Sequence, residues 1–199
     1  PRCRCGIFLE MMGNDNQFAF QHSRQHDDFI DRAARQALVD RFGEGNFTEG
    51  PFRKVVGNDE MVLNGPGLNV PTVSISRWPY WQYHTHLDDI SMISEERLDE
   101  SLEVIEGIIG ILERDFVPRR KFTGPIFLSG YGLWVDYRTN FALNRAIEQV
   151  MLSLEGDESI LGIARKTSVP YDDVYDFVRR VIDLGLAEEI GRGADLHRE

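Results

Sequence analysis

The chain has 199 residues, enough to bury a core as one large domain or two small ones. Its 42% hydrophobic and 28% charged content is that of a soluble globular protein, and a net charge of -11 opposes nonspecific binding to nucleic acid or an anionic membrane. No apolar run approaches the ~20 residues that span a bilayer, and no signal peptide is visible. Cys3 and Cys5 are the only cysteines. On one face of an extended strand they are poorly placed to bridge, so they are expected as buried free thiols in a reducing cytoplasm.

Cys5 to Leu9 reads as a short buried strand, closed by Glu10 and followed by the loop Gly13-Asn-Asp-Asn16. A carboxylate emerging from a buried strand needs a metal, an arginine or backbone donors, and Arg24 and Arg77 are the candidate arginines. His22 and His26 are four apart but lack the glutamate of a zinc-binding helix, so they are expected on the solvated surface. Phe29, Ile30, Ala33, Ala37 and Leu38 mark a helix from Asp28 to about Phe42, capped by Asp27 or Asp28 and stopped by Gly43. A short strand is expected within Pro51 to Leu63. Asn64 to Pro71 is a turn-rich loop delivering the strand Thr72-Val-Ser-Ile-Ser76.

The most informative stretch comes next. Tyr83, His84, Thr85, His86, Asp88 and Asp89 place two imidazoles, a hydroxyl and two carboxylates within seven residues, behind the aromatic run Trp78, Tyr80, Trp81. Neutral imidazole and carboxylate are the usual ligands of zinc and similar divalent metals. His84 is the best single candidate, either as a ligand or as a histidine that pins a loop. Asp88 can orient it and Thr85 can add a hydrogen bond behind it. A turn after His84 would separate it from His86, which is then substrate-facing or exposed, while Tyr83 and the aromatics before it can line a pocket wall. Asp89 reads as an ordinary helix-approach carboxylate.

Ser94 then caps a helix to about Asp115, whose stripe Leu98, Leu102, Ile105, Ile109 and Leu112 is expected to cover a sheet. Pro118 to Lys121 is a basic exit, and Phe122 to Val135 an aromatic connector in which Leu128-Ser-Gly-Tyr-Gly132 shapes the chain without making a nucleotide site. Helices are expected over 142–152, 159–167 and 171–184, followed by a strand over 186–190. The fold class is thus α/β: a sheet covered by helices over residues 1–137, then a small winged-helix-like domain over 138–199. Asp172, Asp173 and Asp176 at the start of the third helix would repel phosphate, so this domain is expected to contact protein through Phe177, Val181 and Ile182 and not to grip DNA.

Tyr83-His-Thr-His-Leu-Asp88 resembles the late metal-ligand motif of zinc-dependent co-catalytic aminopeptidases and their bacterial aminopeptidase-like relatives, some of which carry a winged-helix-like tail. Gly6-Ile-Phe-Leu-Glu-Met-Met-Gly13 resembles the earlier strand whose acidic end binds metal, with Glu10 where that family more often has aspartate, and Asn69-Val-Pro-Thr-Val-Ser74 is similar to the strand entering the last ligand loop. The resemblance implies metal ligands at His84 and Glu10, two zinc ions in the complete protein, and a peptide or small amide as substrate. It also implies a partner in the upstream part of the same domain, which would hold the remaining ligands and the general base. The chain, which begins at Pro1, would then be the C-terminal part of a longer protein and inactive alone. A homo-oligomer is compatible with this reading; nucleic acid and membrane are not expected partners. The competing class is a noncatalytic binding or assembly module.

Overall fold

The computed structural model describes residues 3–195; the expectation drawn from Pro1 lies outside them. The chain divides between Gly110 and Ile111 into two compact units. The sequence reading placed this division at 137/138.

The N-terminal unit holds β1 (Gly6–Glu10), β2 (Phe18–Gln21), α1 (Phe29–Phe42), β3 (Thr48–Gly50), α2 (Glu60–Leu63), β4 (Thr72–Arg77) and most of α3 (Glu95–Arg114). Its sheet has the order β1-β4-β2-β3, with β1 parallel to β4, β4 antiparallel to β2, and β2 parallel to β3. The mixed α/β layer of a small sheet covered by helices is the expected fold class. Between Pro51 and Leu63 the structure has the short α2 in place of the expected strand, and β2 and β3 are additional. Both additions are three or four residues long, too short to leave a clear period in the sequence.

Central strand β4 is buried along its whole length and has two unlike faces. Side chains alternate along a strand. Val73, Ile75 and Arg77 therefore share one face with their register partners Phe20 and Phe18. Thr72, Ser74 and Ser76 share the other with Gly6, Phe8 and Glu10 of β1 and with Gln21 and Ala19 of β2. The first face is apolar and lies with Ile30, Ala33, Ala34 and Leu38 of α1 among the buried core residues. The second is polar and carries the candidate site.

Helix α1 begins with a capping box. Asp28 caps the first turn, and Asp31 reaches back to the Asp28 N–H at 3.1 Å. It ends at Gly43, whose φ of 84° suits glycine and whose N–H donates to Val39 O. The expected cap and stop are both in place.

Helix α3 buries a different stripe from the expected one. Ser101, Val104, Ile108 and Ile111 are buried, whereas Leu98, Leu102 and Ile109 are 46%, 52% and 43% exposed. The buried set lies one residue earlier, a rotation of about 100° around the helix axis. α3 is apolar on both stripes, and small residues decide which turns inward. A Cβ at Gly107 would sit 3.5 Å from Ala37 Cβ of α1, and Ser101 Oγ donates to Met12 O at 2.8 Å.

The C-terminal unit contains β5 (Phe116–Arg120), α4 (Phe141–Leu152), α5 (Ile160–Thr167), α6 (Tyr171–Asp183) and β6 (Ala187–Arg192). β5 pairs antiparallel with β6, with an irregularity between Val117 and Pro118, and Arg119 makes an isolated antiparallel bridge to Glu155. This long-range pairing draws the segment read as a basic exit into the C-terminal unit. Asn140 and Ser159 cap α4 and α5 by accepting from Leu143 N and Gly162 N. Ile160, Ile163, Val174, Val178 and Val181 fill the space between the helices. Phe177 and Val181, expected on a partner-facing surface, are 2% and 0% exposed and belong to this unit's own core. No helix among the described residues is long and apolar enough to cross a membrane.

Candidate functional site

Glu10 is the last residue of β1, and its register partner on β4 is Ser76. Because β1 and β4 are parallel, the chain leaves both at the same edge of the sheet, and the loop after β4 carries His84. Ligands of open α/β sheets commonly lie beyond such carboxyl ends. The structure thus brings the origins of the two expected metal-facing residues together; no hydrogen bond or ion pair between them is present.

Glu10 is half-buried, and its Oε1 accepts a hydrogen bond from Asn58 Nδ2. Burial, with a further contribution from the Glu60 carboxylate, raises its pKa despite the bond from Asn58. Neither candidate arginine reaches it. Arg24 Nη2 donates to Asn69 Oδ1 at 2.8 Å, and Arg77 pairs with Glu100. Among the described residues Glu10 forms no ion pair.

Arg77 instead fixes the loop that follows Glu10. Its buried guanidinium donates to Met12 O at 3.0 Å and Asn16 O at 2.9 Å, and it lies 4.0 Å from the centroid of the Phe18 ring. Asn14 Nδ2 returns a bond to Arg77 O at 3.1 Å. The Glu100 carboxyl, despite burial that opposes ionisation, is held below its ordinary pKa by Arg77 and Arg97.

The His84 loop does not continue as a strand. The bonds Tyr83 N to Tyr80 O at 3.2 Å, Thr85 N to Gln82 O at 3.0 Å and Asp88 N to Thr85 O at 3.3 Å coil it into successive turns. His84 has φ 61° and is exposed, its ring stacked on Tyr83 with centroids 3.8 Å apart. Histidine is one of the few non-glycine residues found repeatedly in this left-handed region. His86, Thr85 and Asp88 are exposed as well.

The neighbours expected to support His84 have other partners. Asp88 Oδ1 accepts from Tyr80 Oη at 2.5 Å, and this bond pushes the tyrosine pKa up to about 12. Thr85 Oγ1 donates to Gln82 O at 2.7 Å and accepts from Leu87 N at 3.1 Å. Both side chains stabilise the turns and not the imidazole. Asp89 accepts from Ser91 N at 2.8 Å at the head of the short 3-10 turn Ile90–Met92, which lowers its pKa.

Carboxylate and imidazole suit zinc, but a catalytic zinc takes about three protein ligands. Among the described residues no three His, Cys, Asp or Glu form a group that could hold a metal ion. Glu10 and His84 fit as partial donors only, and no reaction step is assigned to a metal held by them alone.

Beside Glu10 lies a polar cluster absent from the sequence reading. Glu60 is 0% exposed, with Oε1 accepting from Gln21 Nε2 at 2.9 Å and Oε2 from Asn58 N at 2.9 Å. Asn64 Nδ2 donates to Thr72 O at 2.8 Å, and the buried Ser74 and Ser76 hydroxyls have no hydrogen-bond partner among the described residues. Nothing local marks Glu60 as buried, because its helix packs on β1 and β4 and its hydrogen-bond partner Gln21 comes from β2.

On the apolar face, His22 is 6% exposed and not solvated as expected. Its Nδ1 lies 3.2 Å from Asp31 Oδ1 and its Nε2 2.7 Å from Glu49 Oε1. Burial opposes its charge, but the two carboxylates outweigh burial and raise its pKa. His26 meets it edge-on at 4.2 Å between ring centroids. Cys3 and Cys5 are free; Cys3 is exposed where a buried thiol was expected, and burial raises the pKa of half-buried Cys5.

Residues 1–115 match the family described as Domain of unknown function (DUF4910). The chain belongs to that family. β1, β4, Glu10 and His84 all lie within the matched DUF4910 residues. No curated protein matches the chain. The crystal structure of a putative peptidase from Clostridium acetobutylicum is similar in fold, with a TM-score of 0.75 and 18% identity over 94% of this chain. The chain spans 42% of that protein's chain.

Proposed function

We propose that this chain is part of a peptidase-like hydrolase that acts on peptide or related amide bonds, with Glu10 and His84 as its two contributions to a zinc centre. The observation that carries the reading is the placement of Glu10 at the shared carboxyl edge of β1 and β4, desolvated and, among the described residues, without a cationic partner. A half-buried carboxylate of this kind gains most from a cation. The fold likeness to the Clostridium protein supports the hydrolase class. The remaining ligands and the general base are assigned to an upstream part of a longer cytoplasmic protein. Zinc, when bound, polarises a carbonyl and lowers the pKa of water. This chain's own part is to hold a carboxylate and an imidazole at the sheet edge.

The C-terminal unit, read as winged-helix-like from its three helices and its β5–β6 pair, serves protein contacts in this proposal. A noncatalytic assembly module is the second reading, favoured by the exposed leucines and isoleucine of α3. Zinc analysis of the longer protein, paired with an aminopeptidase assay, separates the two. His84→Ala is expected to cost about 1 kcal/mol of folding stability or less, because the side chain is exposed but alanine is disfavoured at its φ of 61°, while lowering zinc content and peptide hydrolysis. Unchanged zinc content in both His84→Ala and Glu10→Gln would refute the metal assignment.

A further inference from the structure

His22 follows β2 directly and has a carboxylate at each ring nitrogen, Asp31 of α1 at Nδ1 and Glu49 of β3 at Nε2. An ionised carboxylate only accepts hydrogen bonds, and imidazole donates from both nitrogens only when it carries both protons. The arrangement is therefore that of an imidazolium joining a helix to an edge strand. The other charged groups around it are His26, edge-on to the ring, and Arg35 of α1. Arg35 Nε donates to the two Glu49 oxygens at 3.0 and 3.1 Å, and its Nη2 pairs with Glu44.

The two carboxylates are not held alike. Asp31 is 1% exposed and accepts from Ser23 N, Ser23 Oγ and Asp28 N in addition to facing His22. The Glu49 side chain is 30% exposed, and Arg35 offers it a second cation. When one proton leaves, the ring keeps a single N–H, and the other nitrogen turns a lone pair toward a carboxylate. Only Glu49 has both solvent and a second partner to withdraw to. We propose that His22 is a proton-operated latch on β3: as the imidazolium it ties Glu49 to Asp31, and as the neutral imidazole it keeps Asp31 and releases Glu49. β3 is three residues long and ends the sheet beside β2, so the loss of one side-chain tie acts on its local opening. It also leads into residues 51–56, where Val55 N and Val56 N donate to Gln21 Oε1 on the opposite face of the sheet. The adjacent Gln21 and His22 thus hold one strap from two faces, and of these two ties only the His22 one carries a titratable proton. Because the carboxylates raise the His22 pKa, release falls above about pH 6.5.

NMR of the His22 ring nitrogens in the whole chain, with amide exchange corrected for intrinsic rate over the same pH series, tests the latch. Neutral His22 is expected as the Nδ1–H tautomer. At the same midpoint the amides of the β2–β3 pairing, among them His22 N on Gly50 O, should lose roughly tenfold protection or more, as for a hydrogen bond to a charged group. Those of the β1–β4 pairing should keep theirs. In Glu49→Gln the side-chain amide both donates and accepts, so it meets either form of His22, and the pH-dependent loss should vanish with the fold intact. Neutral His22 with its proton on Nε2, protection that stays level through the titration, or an undiminished loss in Glu49→Gln would each overturn the proposal.

Discussion

His22 and Asp31 form a buried, heavily bonded titratable pair on the apolar face. Asp31 is 1% exposed and accepts from Ser23 N and Ser23 Oγ, each at 2.6 Å, as well as facing His22. These bonds outweigh burial and lower its pKa, while that of His22 is raised. The signs give two limits. The His22 contribution is complete below its unfolded pKa of about 6.5 and is lost as pH rises through the raised folded value. The Asp31 contribution is complete above its unfolded pKa of about 3.9 and is lost as pH falls through the lowered folded value. Urea unfolding should therefore show the widest stability gap between wild type and His22→Gln between about pH 4 and 6.5, closing at higher pH. Asp31→Ala removes the helix-capping carboxylate and one His22 partner together, with an expected cost of about 3 kcal/mol. A gap that widens above neutral pH would contradict the assigned charge of His22.

Helix α3 tests which of two apolar stripes makes the core. Ile108 is 0% exposed and Ile109 is 43% exposed, so adjacent residues of one type sample the two faces. Ile108→Ala should cost about 3 kcal/mol through lost burial and a residual cavity. Ile109→Ala should stay within about 0.5 kcal/mol. Denaturant midpoints of the two variants at unchanged slope give the comparison directly, and a larger loss in Ile109→Ala than in Ile108→Ala would place α3 in the orientation first expected from its sequence. The α1 boundaries were readable because Asp28, Asp31 and Gly43 act on backbone groups within one turn of themselves. The α3 face was not, since a period of 3.6 residues identifies apolar stripes without saying which one meets a neighbour. Gly107 and Ser101, the residues that admit close approach, carry little hydrophobicity and gave no signal of their own.

For the whole molecule, the acidic balance and the ion pairs of the C-terminal unit argue against nucleic-acid binding. Asp172 pairs with Arg114 at 2.8 Å, Arg179 with Glu189 at 3.1 Å, and Arg180 Nη2 donates to Gly132 O at 2.5 Å. The basic side chains of α6 are therefore engaged within their own unit. Duplex DNA titrated with the whole chain across a salt series should show weak binding without a steep salt slope, because few phosphates would be neutralised. Tight binding that falls sharply with salt would overturn this expectation. Of the three apolar residues expected to face a partner, Ile182 is half-exposed, whereas Phe177 and Val181 belong to the core.

The sequence by itself determined the α/β class, the limits of α1, α3 and the last three helices to within a residue or two, and the motif around His84. Each of these is a local property: a cap, a hydrophobic period or a cluster of ligand types close along the chain. Tertiary structure alone decided that Glu10 faces Asn58 and Glu60, that His22 is buried between two carboxylates, and that β5 joins the C-terminal unit by pairing with β6. Such partners are separated by up to tens of residues, and strand register brings them together. A one-residue change of register would reverse the face on which Glu10 and Gln21 lie. No local pattern encodes that choice, because it depends on which of two alternating faces each neighbouring strand and helix can bury.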